Sequence, residues 1–216
     1  MDRTATRNTG LLVASVASLL CFALVAAWQA SGASASFDRA GLLYWREMPL
    51  LFPVGPAWLT QAMQGLTIMG GGPFRIALGL FVLTLLLARR HIRESLMLLA
   101  IMIPAAAINS GLKLLFARPR PDIVPRLDGF SDLSFPSGHS FNGAATYLGL
   151  ALIMAGLRSR TRYWLVVPAL CLSLAIAFSR VWLGVHYPTD AIAGWLGGTG
   201  WATMVAYLMQ PRASRD

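Results

Sequence analysis

The chain has 216 residues, 56% of them hydrophobic and only 12% charged, against about a quarter charged in an ordinary soluble domain. Its mean hydropathy is +0.59, and 18 basic residues outweigh 9 acidic ones. Such a charge balance would suit a nucleic-acid binder, but apolar runs of about 20 residues and the lack of a nucleic-acid-binding motif exclude that class and indicate a membrane protein.

In chain order, a polar start with Arg3 and Arg7 leads into an apolar run from Leu11 to Ala30. The small residues after it, "ASGASAS", would suit a signal-peptide cleavage site. The run is longer than a signal's apolar core of about 7–15 residues, so it is expected to be an uncleaved span. Residues 31–56 form a mixed loop, with Tyr44 and Trp45 suited to the membrane interface. Ala57 to Met69 is apolar but too short to cross, and is expected to be re-entrant or half-embedded before "GGGP".

Five further spans follow: Phe74–Ala88, Ser95–Phe116, Ser137–Leu157, Trp164–Trp182 and Ala191–Met209. The expectation is therefore an all-α polytopic helical bundle with six spans. It forms one integral-membrane domain, 1–216, whose signature-bearing core is about 60–208. Cys21 and Cys171 lie in apolar runs, too few for a disulfide framework, and are expected to be small apolar fillers.

With a cytoplasmic N-terminus, six spans place ten basic residues inside: Arg3, Arg7, Arg89, Arg90, Arg93, Arg158, Arg160, Arg162, Arg212 and Arg215. Eight lie outside, accompanied by most of the acidic residues. Both short inner turns, 89–94 and 158–162, are strongly basic, which favours this orientation. An even number of crossings separates 113–139 from 180–190, so the two stretches share one side of the membrane whatever the upstream count.

The rare polar residues gather in those two stretches. The only lysine, Lys113, is followed by Arg120-Pro121; then come Pro136-Ser137-Gly138-His139; then Ser179-Arg180, His186 and Asp190. Lys113, Arg120 and Arg180 would converge as three cations able to grip an anion of charge about −2. Arg118 and Arg126 are expected to snorkel or meet head groups. Ser137 and Gly138 open a helix, whose N-terminus suits phosphate; Ser137 as a plain helix cap is the competing account. Asp190, at about the third helical position after Pro188, would reach back to His186, fix its tautomer and free its other nitrogen as nucleophile or base.

Two histidines beside three cations and a helix N-terminus make a phosphoryl-transfer set. One imidazole attacks phosphorus, and the other protonates the leaving oxygen and then activates water. The few acidic residues show no metal-ligand spacing, so no metal or other cofactor is expected. His91 lies in a basic inner turn and is expected to be solvated and non-catalytic.

K-x6-R-P, P-S-G-H and S-R-x5-H-x3-D, present here in that order, resemble the signature of the type 2 phosphatidic acid phosphatase (PAP2) superfamily. The resemblance implies a membrane helical bundle with its site on the non-cytoplasmic side. It makes His186 the nucleophile, Asp190 its orienting partner and His139 the acid and then base. Lys113, Arg120, Ser137, Gly138 and Arg180 would bind phosphate. The soluble vanadium haloperoxidases share that pocket, but the spans set this chain apart from them.

A phosphate pocket at a membrane rim implies a lipid phosphate substrate, and the family resemblance implies undecaprenyl pyrophosphate, phosphatidic acid or phosphatidylglycerol phosphate, handled in a bacterial inner membrane. Two rivals stay open at this level. A lipid phosphotransferase would share the phosphohistidine but pass phosphate to another acceptor. A non-enzymatic lipid transporter would explain the spans and basic rim, but not Asp190 four residues after His186.

Overall fold

The computed structural model describes residues 3–128, 132–157 and 162–209. The helices are α1 (Arg3–Ala30), α2 (Ala35–Leu43), α3 (Ala57–Gly70), α4 (Gly72–Ala88), α5 (Ile92–Phe116), α6 (Gly138–Leu157), α7 (Arg162–Trp182) and α8 (Pro188–Leu208). Two-residue strands β1 (Arg46–Glu47) and β2 (Phe52–Pro53) pair antiparallel between α2 and α3. Residues 31–56, expected as a loop, therefore hold a helix and a small hairpin. Arg46 anchors that hairpin by donating from Nη2 to the Trp182 carbonyl at 2.7 Å, and Trp45 packs against Phe178 and Trp182.

Among the described residues, four helices are long and apolar enough to cross a membrane: α1, α5, α6 and α7. The number is five if α3 and α4, bent by 51° at a short break, form one span. The break sits at Gly71, whose extended backbone interrupts the helical run. A helix that stops inside a bundle leaves carbonyls without helical partners. Here Tyr147 donates to the Met69 carbonyl at 2.7 Å, and Arg75 donates from Nε to the Gly70 carbonyl at 2.8 Å.

The 21-residue α8 is the centre of the bundle. Its glycines let neighbouring backbones approach where a side chain would block them. A Cβ at Gly194 would lie 2.6 Å from the Ser137 carbonyl oxygen, and one at Gly198 only 2.0 Å from that of Phe141. α1 lies along another face of α8, where Ser15 donates to the Gly200 carbonyl at 2.9 Å. The largest apolar core joins α5, α6 and α8 through Leu98, Ile101, Phe141, Ala145 and Ala206.

Cys21 and Cys171 are both exposed on the outside of the bundle; they fill no core, because apolar runs in a membrane bundle also face outward. His91 stands at the opposite end of α5 from Lys113, half exposed beside Glu94. Of the inner-side arginines, Arg158, Arg160, Arg212 and Arg215 lie outside the described residues.

Candidate active site

The three polar stretches meet at one end of the bundle, where α5 and α7 finish and α6 and α8 begin. Ala117 ends α5 in the left-handed conformation, turning the chain into the loop that carries Arg118 and Arg120. The start of α6 is tied down from two sides. The Ser137 backbone N–H donates to the Asp190 carbonyl at 3.0 Å, and Asn109 of α5 donates to the Pro136 carbonyl at 3.3 Å. After α7, the backbone N–H groups of Val185 and His186 fold back onto the Arg180 carbonyl.

His186 is fully buried. Its Nδ1 lies 3.4 Å from Asp190 Oδ2 and 3.4 Å from Ser134 Oγ, and Ser134 also donates to that Asp190 oxygen. Asp190 accepts the Tyr187 backbone N–H at 3.0 Å, so one carboxylate caps α8 and faces the imidazole. Among the described residues nothing hydrogen-bonds His186 Nε2, although that atom is buried. Burial, followed by the charges of Arg120, Arg180 and Lys113, holds the His186 pKa well below its ordinary value. The ring is therefore neutral, the form with a lone pair to donate.

The three cations all face carboxylates of the α5–α6 loop. Lys113 donates to the Asp132 side chain and the Leu133 carbonyl. Arg120 donates to the Asp132 side chain and carbonyl, and from Nη1 to the Val185 carbonyl at 2.8 Å. Arg180, fully buried, donates from Nη1 to Asp128 at 2.8 Å and to the Thr67 hydroxyl of α3. Burial would raise the Asp132 pKa, but Lys113 and Arg120 outweigh it and hold the carboxyl below its usual range. Asp132 is thus an anion seated where two of the cations present their N–H groups.

His139 lies on the first turn of α6, within electrostatic reach of Arg180, His186, Arg75 and Arg120. Its ring packs against the α3–α4 break: a Cβ at Gly70 would lie 3.3 Å from His139 Cδ2, and one at Gly71 3.8 Å from Nε2. The Ser137 hydroxyl accepts from the Ser140 backbone N–H at 3.5 Å, the arrangement of a helix cap, and from Ser140 Oγ at 3.0 Å inside the protein. Gly138, beside it, has Asn109 Oδ1 3.1 Å from where a Cβ would stand.

Arg118 differs from its expectation. It neither snorkels nor meets head groups, but bridges two buried carboxylates. Nη1 donates to Asp190 Oδ1 and Nη2 to Asp38 Oδ2, both at 2.7 Å, with its guanidinium 4.0 Å over the Tyr187 ring. Burial would lower its pKa; Asp190 and Asp38 outweigh that and raise it. The sequence signal was present but weak: "ARPRP" offers two arginines two residues apart, and only the fold shows that they point to different carboxylates. Asp128, Asp132, Ser134, Thr67 and Asp38 also went unrecognised in the sequence, because none has a fixed spacing to the histidines.

Comparison with known proteins shows the family. Residues 94–214 match the PAP2 superfamily. The chain is 31% identical over 140 residues to phosphatidylglycerophosphatase B of Bacillus subtilis, covering 63% of this chain and 68% of that one. It is 35% identical over 72 residues to an undecaprenyl-diphosphatase of Sulfolobus acidocaldarius, 32% of this chain and only 30% of that relative. The crystal structure of the transmembrane PAP2-type phosphatidylglycerolphosphate phosphatase from Bacillus subtilis superposes with a TM-score of 0.75 at 27% identity. That match covers 88% of this chain and 93% of the other.

Proposed function

The chain belongs to the PAP2 superfamily, in its branch of membrane lipid phosphatases, and from that premise we propose that it hydrolyses a lipid phosphate or isoprenyl diphosphate through a phosphohistidine at His186, without a metal ion. The observation that carries this is the pairing at one buried imidazole. Nδ1 faces Asp190 and Ser134, Nε2 has no hydrogen-bond partner among the described residues, and the ring lies within electrostatic reach of Arg120, Arg180 and Lys113.

Lys113, Arg120 and Arg180 take the phosphate oxygens, replacing the loop carboxylates at those N–H edges. Ser137 and Gly138 bring the positive end of α6 to the same group. The lone pair of Nε2 forms an N–P bond as the P–O bond to the leaving group breaks. The departing oxygen keeps the electron pair and takes a proton from His139. Water then attacks phosphorus, the N–P bond returns its electrons to Nε2, and the proton of the water passes to His139.

An apolar groove of about 400 Å³ between α2, α7 and α8 supports a lipid substrate. Pro188 and Ala191, which flank the catalytic end of α8, line it together with Trp45, Phe178 and Trp195. Phosphatidylglycerol phosphate, undecaprenyl pyrophosphate and phosphatidic acid are the candidates. The names of the relatives place the first two among the substrates of similar chains. In this reading α4 and α8 complete six crossings, the N-terminus is cytoplasmic, and the site faces outward from a bacterial inner membrane. A helix of 21 residues is about 30 Å long, enough to cross.

The test is phosphate release from these three lipids by purified protein in detergent with excess EDTA. Release that persists in chelator and vanishes in His186→Ala is expected. Strict dependence on added Mg²⁺ would sink the metal-free mechanism.

A further inference from the structure

Asp38 lies in α2, well before the segment that matches the family, and its side chain is 1% exposed. A carboxylate that deep needs compensation, and four donors supply it. Oδ2 accepts from Arg118 Nη2 at 2.7 Å, Thr189 Oγ1 at 2.8 Å and Ser34 Oγ at 3.1 Å. Oδ1 accepts the Thr189 backbone N–H at 2.9 Å. The opposite edge of the same guanidinium holds Asp190. A continuous chain therefore runs from Asp38 through Arg118 and Asp190 to His186.

We propose that Asp38 is a positioning residue for phosphoryl transfer: through Arg118 and Asp190 it fixes the attacking orientation of His186 and supplies the negative charge that the phosphorylated ring requires. The inference rests on His186 as the nucleophile. Arg118 with Asp190 alone is a neutral pair, and the arginine competes with the imidazole N–H for the carboxylate. Adding Asp38 makes the trio −1. When Nε2 bonds phosphorus and Nδ1 keeps its proton, the ring becomes +1, and the buried cluster closes at zero. Uncompensated charge in a buried site is costly, so a counter-charge built into the fold stabilises the intermediate more than the resting enzyme.

Asp38 also caps α8 through the Thr189 N–H, so a purely structural role is the alternative. Asp38→Asn separates the two, because the amide oxygen still accepts that N–H while the charge is lost. The measurement uses the full-length protein in detergent, with lipid turnover and with binding of two probes. Vanadate accepts a fifth bond from an imidazole nitrogen and so mimics the transition state; inorganic phosphate binds through the cations.

The expected result for Asp38→Asn is a kcat lower by about 10- to 100-fold with KM nearly unchanged. Vanadate affinity falls by a similar factor and phosphate affinity does not. In an Arg118→Met background, Asp38→Asn costs little more, since the relay is already broken. If Asp38→Asn fails to fold, Arg118→Lys keeps the charge but cannot bridge both carboxylates, and the same loss of vanadate preference is expected. Wild-type kcat with an unchanged vanadate-to-phosphate ratio in the folded variants, or additive losses in the double variant, would overturn the inference alone. A wild-type protein that neither releases phosphate nor prefers vanadate would overturn the phosphohistidine reading and the inference with it.

Discussion

The two ring nitrogens of His186 have different surroundings, and each was legible to a different degree. The Nδ1 side was readable from the sequence, because a carboxylate four residues on, behind a proline-initiated helix, has little choice but to turn back. The far side was not. The carboxylates of Asp128 and Asp132 reach the cations from a proline-rich loop whose path no periodicity predicts. Because Asp132 occupies N–H groups of Lys113 and Arg120, an incoming phosphate must displace it. Asp132→Asn is therefore expected to tighten competitive inhibition by inorganic phosphate about two- to fivefold, the scale of a partly exposed ion pair. Weaker inhibition in the variant would mean that Asp132 arranges the cations and does not compete for them.

The same ring gives a dependence of stability on pH. Burial first, then Arg120, Arg180 and Lys113, lower the His186 pKa; Asp132 raises it, and Asp190 stands at Nδ1. Unfolded, the ring titrates near 6.5. Below that value the unfolded chain binds more protons than the folded one. The stability from the neutral ring is complete above about pH 6.5 and is lost as pH falls toward the lowered folded pKa. Apparent melting temperatures in detergent between about pH 7.5 and 5.5 should fall more for wild type than for His186→Gln. Equal slopes would show that the ring is not held neutral.

At the scale of elements, α8 was legible as a helix, expected over 191–209 and formed over Pro188–Leu208, but its central place in the bundle was not. Its sequence "GWLGGTG" lowers its hydropathy, yet those small residues let it lie at the centre of the bundle, and α8 is the element that presses "HYPTD" against "PSGH". The strongly apolar α1 and α7 were readable because their side chains face outward as much as inward. The short α2 was not, since nine residues with one serine-rich flank give no clear helical stripe; its importance lies in Asp38. Gly198→Ala tests the close approach of α8 to α6. Its methyl group would meet the Phe141 carbonyl at 2.0 Å, and backbone cannot move aside as a flexible side chain can. A loss of about 1–3 kcal/mol is expected, read as a lower melting temperature together with a loss of turnover. A variant as stable as wild type would mean that the two helices are farther apart.

At the scale of the whole molecule, the chain places its polar chemistry at one end of an apolar bundle and its basic turn at the other. The family resemblance and the shared side of 113–139 and 180–190 were both available from the sequence. The tie from the N-terminal helices into the site was not, because Asp38 and Arg118 are 80 residues apart and carry no common motif. The proposed sidedness rests on the arginine distribution and has a direct readout. A membrane-impermeant maleimide on intact cells should label Asp122→Cys, in the exposed α5–α6 loop, and spare Arg93→Cys at the start of α5. The reverse pattern would put the site on the cytoplasmic side.

The central claim is that phosphorus becomes bonded to His186. The direct measurement mixes enzyme with lipid phosphate labelled in its terminal phosphoryl group, quenches within the first turnover at alkaline pH, and maps the label by mass spectrometry. Label on the peptide containing His186, absent from His186→Ala, is the result this account predicts. Full turnover by an enzyme that never carries label on His186 would contradict it.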